Sequence, residues 1–198
     1  MEIKINRNGL PVTNRIARET TTIIMEIHQT FKPLHPANLS KNAIKMIGSD
    51  WMLITAGSRE SFNTMTASWG GFGVLWNKPV AFIFVRPVRY TYLFTEEKET
   101  FTLSFFSDKY RKALNYCGSH SGRDVDKIAE TGLTPVPMPE GSLAFAEAEI
   151  IMECKKLYFQ DIQPLNFLDR DIDRHYPGKD YHRMYVGEII HCFQRRET

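Results

Sequence analysis

The chain has 198 residues, 42% of them hydrophobic, and 25 basic against 23 acidic side chains, for a formal net charge of +2. That length supports one well-buried core and is short for two complete domains, and the scatter of the cations argues against a nucleic-acid footprint, which needs them clustered. With charges at Glu2, Lys4 and Arg7, no apolar core of signal-peptide length, and a longest apolar run (VAFIFV, 80–85) far too short to span a bilayer, a cytoplasmic protein without membrane contact is expected.

In chain order, Pro33 and Pro36 in FKPLHPANL break any early helix, after which period two dominates. WMLITAG (51–57) and VAFIFV read as buried strands, with NTMTASWGG (63–71) as the strand between them. Thr91 opens a short helix, and TFTLSFF (100–106) alternates Phe101, Leu103 and Phe105 with Thr102 and Ser104. A second helix starts at Ser107 as N-cap and places Tyr110, Leu114 and Cys117 on one face. A third runs from Asp124 and stops at Gly132. LAFAEAEIIMEC (143–154) predicts one long strand with Glu147, Glu149 and Glu153 on a wet side. MYVGEIIHCF (184–193) is the last strand, and the charged, Pro- and Gly-containing segment before it is a surface loop. A mostly β chain with short connecting helices suggests a closed or split β-barrel.

Three segments carry candidate chemistry. In NTMTASWGG, alternation puts Asn63, Met65, Ala67 and Trp69 on one side and Thr64, Thr66 and Ser68 on the other. Such small residues let a flat ligand approach the backbone, although a plain edge strand with wet threonines reads the same way. RPVRYTYLF (86–94) sets Arg86 and Arg89 beside a helix start, a natural anion site unless both arginines pair with Glu96 or Glu97. CGSHSGRD (117–124) joins two helices through Gly118 and Gly122, with Ser119, Ser121 and Arg123 available as donors.

Other chemistries lack their signatures. Cys117, Cys154 and Cys192 are odd in number and widely spaced with no CxxC pair, so they are expected to be reduced and structural. His120, His175, His182 and His191 form no HxxxH or HExxH arrangement, and no metal site is expected. No G-x-S-x-G elbow activates a serine.

Four motifs in fixed order, Asn-x-Met-Thr-x-Ser-Trp, Arg-Pro-x-Arg-Tyr-Thr, Ser-Gly-Arg-Asp-Val-Asp-Lys and a late His-x-x-x-x-Gly-Glu-Ile, resemble the flavin reductase-like family of FMN-binding split barrels, the flavoredoxin type in particular. The resemblance covers roughly residues 45–193 and implies a homodimer of split barrels over 41–198, preceded by an N-terminal extension (1–40). It implies FMN near the subunit interface, with NADH or NADPH or a redox partner protein as electron donor. Met65, Thr66, Ala67 and Ser68 would line the flavin with Asn63 and Trp69 close by, and Arg86, Arg89, Tyr90 and Thr91 would serve its phosphate. Ser119, Ser121, Gly122 and Arg123 would complete that side, and His182 would stand by the ring, charged near neutral pH to stabilise reduced flavin. Three functions fit: an NAD(P)H-dependent flavin oxidoreductase, an FMN-bound electron carrier, and a non-enzymatic barrel holding another ligand such as haem.

Overall fold

The computed structural model describes residues 21–197 apart from 24 and 26, so more than half of the expected extension lies outside the described residues. The strands are β1 (Phe31–Pro33), β2 (Met52–Ser58), β3 (Ser61–Ala67), β4 (Gly70–Leu75), β5 (Lys78–Val85), β6 (Thr100–Phe105), β7 (Pro135–Pro137), β8 (Leu143–Phe145), β9 (Ile150–Asp161) and β10 (Arg183–Arg195). Helices α1 (Thr91–Glu97), α2 (Arg111–Ser119) and α3 (Lys127–Thr131) are short connectors.

The main sheet is antiparallel throughout in the order β3-β2-β6-β9-β10-β5-β4, with β1 paired to the end of β10. Only Ser68 and Trp69 separate β3 from β4 in the sequence, yet these strands end the order on opposite sides. The sheet is thus an open one whose two edges meet at a corner, a mostly β fold consistent with a split barrel.

Both faces of the sheet are covered along β2 and the first half of β9, which explains why these are buried without alternation. One face gathers Ile54, Met65, Ala67, Ile83, Leu103, Phe105, Met152 and Tyr185. The other packs Leu53, Ile151 and Phe193 against Leu114 and Cys117 of α2 and against Phe145, with Ile27 and Phe31 from the N-terminal side. Gly187 of β10 lies where a Cβ would come within 2.6 Å of the Phe101 ring and 3.0 Å of Cys154, so only glycine fits that crossing. All three cysteines are free and buried, and burial pushes the Cys117 thiol up to about 11.

Several elements depart from the sequence expectation. The strand expected over 143–154 is two: β8 ends at Phe145, a turn closed by Ala148 N to Phe145 O at 3.1 Å follows, and β9 runs seven residues beyond Cys154. Its wet side is not uniform, because Glu153 is fully buried. The third helix starts at Lys127 instead of Asp124, since Asp126 accepts from Ile128 N and Ala129 N at 2.9 and 3.1 Å and so caps it. Gly132, at φ 67°, ends it as expected. Ser107 does not cap with its side chain, and a 3-10 turn (Asp108–Tyr110) precedes α2. β4, unforeseen in its glycine-rich sequence, forms because Trp76 and Asn77 at φ 53° and 59° make a two-residue hairpin turn into β5.

Candidate cofactor groove

At the corner where β3 gives way to β4, the chain leaves a groove of about 350 Å³. Its floor is Met65, Thr66, Ala67, Ser68 and Trp69; Phe84, Arg86, Val88 and Arg89 form a second wall as the chain leaves β5, and Gly118 of α2 and His182 before β10 close it. Alternation along β3 turns Met65 and Ala67 into the barrel core, while the Thr66 hydroxyl donates to the Leu114 carbonyl of α2. Gly118 belongs here because Thr66 packs against it, leaving 3.3 Å to where a Cβ would stand.

The groove's electrostatics come from two arginines. Arg89 donates to the Gly118 carbonyl at 2.8 Å and has no carboxylate partner among the described residues. Desolvation and the neighbouring Arg86 hold its basicity below the usual guanidinium range, although arginine stays protonated at any physiological pH. Arg86 is engaged elsewhere: it bonds to Asp180 at 3.2 and 3.4 Å and to the His175 carbonyl at 2.6 Å, with its guanidinium 5.1 Å from the Tyr176 ring centroid. Neither arginine pairs with Glu96 or Glu97; Glu96 instead binds Arg183 at 2.6 Å.

His182 is 8% exposed, its Nδ1 is 2.9 Å from the Tyr176 hydroxyl, and its ring lies 5.1 Å from that of Trp69. Burial, aided by the Arg86 charge and opposed by Asp180, pulls its pKa down to about 4. The expectation that His182 carries charge near neutral pH is therefore corrected: it is a neutral imidazole there.

A family model described as "Flavin reductase like domain" matches residues 45–198. The chain belongs to the flavin reductase-like family. Comparison with curated protein sequences returns no match. Among solved structures, the chain is similar to flavoredoxin of Desulfovibrio vulgaris (24% identity, TM-score 0.59, covering 83% of this chain and 78% of that one). It is also similar to an FMN-binding domain of a flavin reductase-like enzyme from Shewanella baltica (18%, 0.61, 83% and 76%). A third is an NADH:FAD oxidoreductase from Streptomyces globisporus in complex with NAD and FAD fragments (20%, 0.56, 74% and 77%). At these identities the likeness establishes the fold.

Of the residues that the flavin reductase-like resemblance assigns to the cofactor, Met65, Thr66, Ala67, Ser68, Trp69, Arg86, Arg89 and His182 line one groove. Asn63 and Thr91 do not: both are buried, and the Asn63 amide donates to the Thr91 hydroxyl at 2.7 Å. Thr91 therefore braces β3 against α1, its hydroxyl accepting from Asn63, and it does not line the groove. Tyr90 does not line the groove either; the Arg123 guanidinium lies 4.7 Å from its ring centroid. Ser119 turns back to the Asn115 carbonyl at 2.8 Å, and Ser121 accepts from Arg123 N at 3.2 Å, so both hydroxyls shape the α2–α3 connection. Gly122 and Arg123 line a neighbouring cavity of about 440 Å³, where Arg123 and Lys127 are balanced by Asp124 and Asp126.

Sequence reasoning missed Phe84 and Val88 in the groove, and Asp180 and Tyr176 behind it. It also missed Lys127, buried with its ammonium donating to the Thr64 and Cys117 carbonyls at 2.7 and 2.9 Å, where desolvation lowers its pKa to about 8. The aromatic pair Tyr176 and Tyr181 flanking Pro177 and Gly178 was the available signal that the preceding loop packs down. Among the described residues no cluster of three or more His, Cys, Asp and Glu could hold a metal ion, and no helix is long and apolar enough to cross a membrane.

Proposed function

We propose that the chain is an FMN-binding flavin oxidoreductase that accepts electrons from NADH or NADPH in the cytoplasm. The observation that carries this reading is Arg89, a partly buried cation with no carboxylate partner among the described residues, lining a groove whose floor is the small-residue edge of β3. An uncompensated guanidinium at a cleft is matched by a ligand anion, and here it takes the flavin phosphate, with Arg86 as the second cation. Met65 to Ser68 bring backbone and small side chains against the isoalloxazine, and Trp69 and His182 stand over it. Flavin supplies the two-electron chemistry when bound; the chain holds it, shields it, and presents a neutral His182 as a hydrogen-bonding partner.

A homodimer is part of the same proposal. Val74, Trp76, Tyr158 and Phe159 are exposed apolar residues on β4, its hairpin turn and the projecting end of β9, a surface suited to a second copy. Residues 41–198 form the flavin-binding domain, and Ile27, Phe31 and β1 from the preceding stretch pack onto it.

The test is the absorbance of the purified protein, followed by anaerobic addition of NADH or NADPH. Flavin absorbance that bleaches supports the oxidoreductase. A flavin spectrum indifferent to both nucleotides indicates a carrier reduced by a partner protein. Arg89→Ala should weaken FMN by about 1.5–3 kcal/mol while leaving riboflavin unchanged; equal loss for both ligands would remove Arg89 from the phosphate site.

A further inference from the structure

The segment between β9 and β10 is braced by its own contacts. The Asp173 carboxylate takes Lys179 as an ion pair and the Tyr181 hydroxyl at 2.8 Å, and Lys179 N donates to the Tyr176 carbonyl at 3.0 Å. The Tyr176 and Tyr181 rings lie 4.9 Å apart. This strap is fastened at two places. Tyr176 is 3% exposed and bonded to His182, an anchor made of burial. The other fastening is ionic, Arg86 holding Asp180 and the His175 carbonyl, which sets the His175 ring edge-on to Trp69 at 5.7 Å on the groove's rim.

Arg86 is thus shared. Arg86 lines the groove and, at the same time, its guanidinium holds the strap. The two contacts to Asp180, 3.2 and 3.4 Å, are longer than the 2.7–2.9 Å or so of a tight charge-assisted bond, so this pairing is exchangeable. Asp180 offers one negative charge to Arg86 alone. A phosphate monoester carries up to about two and meets Arg89 as well.

We propose that Asp180 is a specificity-determining residue: its carboxylate occupies Arg86 in place of a ligand phosphate monoester, which must displace it and thereby loosens the strap 173–180. The groove accordingly discriminates among anions by how well they outcompete Asp180, and the strap reports occupancy. The ligand's identity as FMN rests on the functional reading above; the exchange on Arg86 does not.

Two readouts test this. Asp180→Asn should raise the affinity for FMN by about three- to tenfold, as expected for losing a partly exposed competing charge, and leave riboflavin unchanged, while Asp180→Glu keeps the original ratio. In parallel, inorganic phosphate should speed tryptic cleavage after Arg174, on the exposed strap, in the natural protein, whereas Asp180→Asn should be cut there fast with or without it. An FMN-to-riboflavin ratio unmoved by Asp180→Asn, in a protein that binds FMN, overturns the proposal. If FMN fails to bind at all but phosphate releases the strap only when Asp180 is present, the exchange stands and the flavin reading falls. If phosphate has no effect on cleavage and FMN does not bind, both fall.

Discussion

Asn63 and Thr91, on β3 and at the first position of α1, satisfy each other inside the protein through a 2.7 Å hydrogen bond that fixes the helix against the strand flooring the groove. Gly122 closes over this pair, and a Cβ there would overlap the Asn63 amide oxygen and press on Tyr90 at 3.2 Å. A conserved shape without the hydroxyl isolates the bond's worth. Thr91→Val should leave the Asn63 amide with only the 3.3 Å contact to the Thr64 carbonyl and cost about 1–3 kcal/mol. Urea denaturation with an unchanged slope and a lowered midpoint is the expected result; an unmoved midpoint would show the bond to be dispensable.

Glu153 gives the fold a basic limit. Its fully buried carboxylate on β9 accepts from Glu140 N at 3.2 and 3.3 Å and from the Ser142 hydroxyl at 2.5 Å. It pairs in register with Thr102 on β6 and His191 on β10; the nearby charges are Glu140 and, 3.7 Å from Glu140, His191. Burial outweighs the hydrogen bonds and lifts its pKa from 4.5 to about 7. A raised carboxyl pKa favours the protonated folded state, so this contribution is complete below about pH 4.5 and is lost as pH rises through 7. The full span is on the order of 3 kcal/mol. Glu153→Gln should flatten that loss, read as chemical stability between pH 5 and 8.5; a parallel pH dependence in the variant would place the titration elsewhere.

His182 acts in the opposite sense. Its pKa falls from 6.5 to about 4, so its stabilising contribution is present above about pH 6.5 and is lost as pH drops through 4. Between pH 5.5 and 8.5 it does not titrate. Under the proposed function, His182→Ala should slow anaerobic reduction of bound FMN by about 10- to 100-fold without changing the shape of the pH–rate profile in that window. A profile with an inflection near pH 6.5 that the variant abolishes would mean that His182 is charged at work.

What the sequence by itself determined is local. Alternating Phe101, Leu103 and Phe105 specify β6 whatever lies beyond, and Gly132 ends α3 because only its own backbone must turn left-handed. Ordered motifs also pointed to the family and to most of the groove, since β3 and the Arg86–Arg89 turn are each contiguous. Long-range placement decided the rest. Arg86 meets Asp180 across 94 residues, and no spacing along the chain encodes which of several carboxylates it finds. Glu153 reads as a wet residue by alternation and is dry because the turn Glu140–Ser142 folds over it. His182 is an ordinary loop histidine until Tyr176, Trp69 and Phe84 surround it. Periodicity is a property of neighbours in sequence, whereas desolvation and charge pairing depend on whatever distant chain packs against a residue, and only the tertiary structure supplies that.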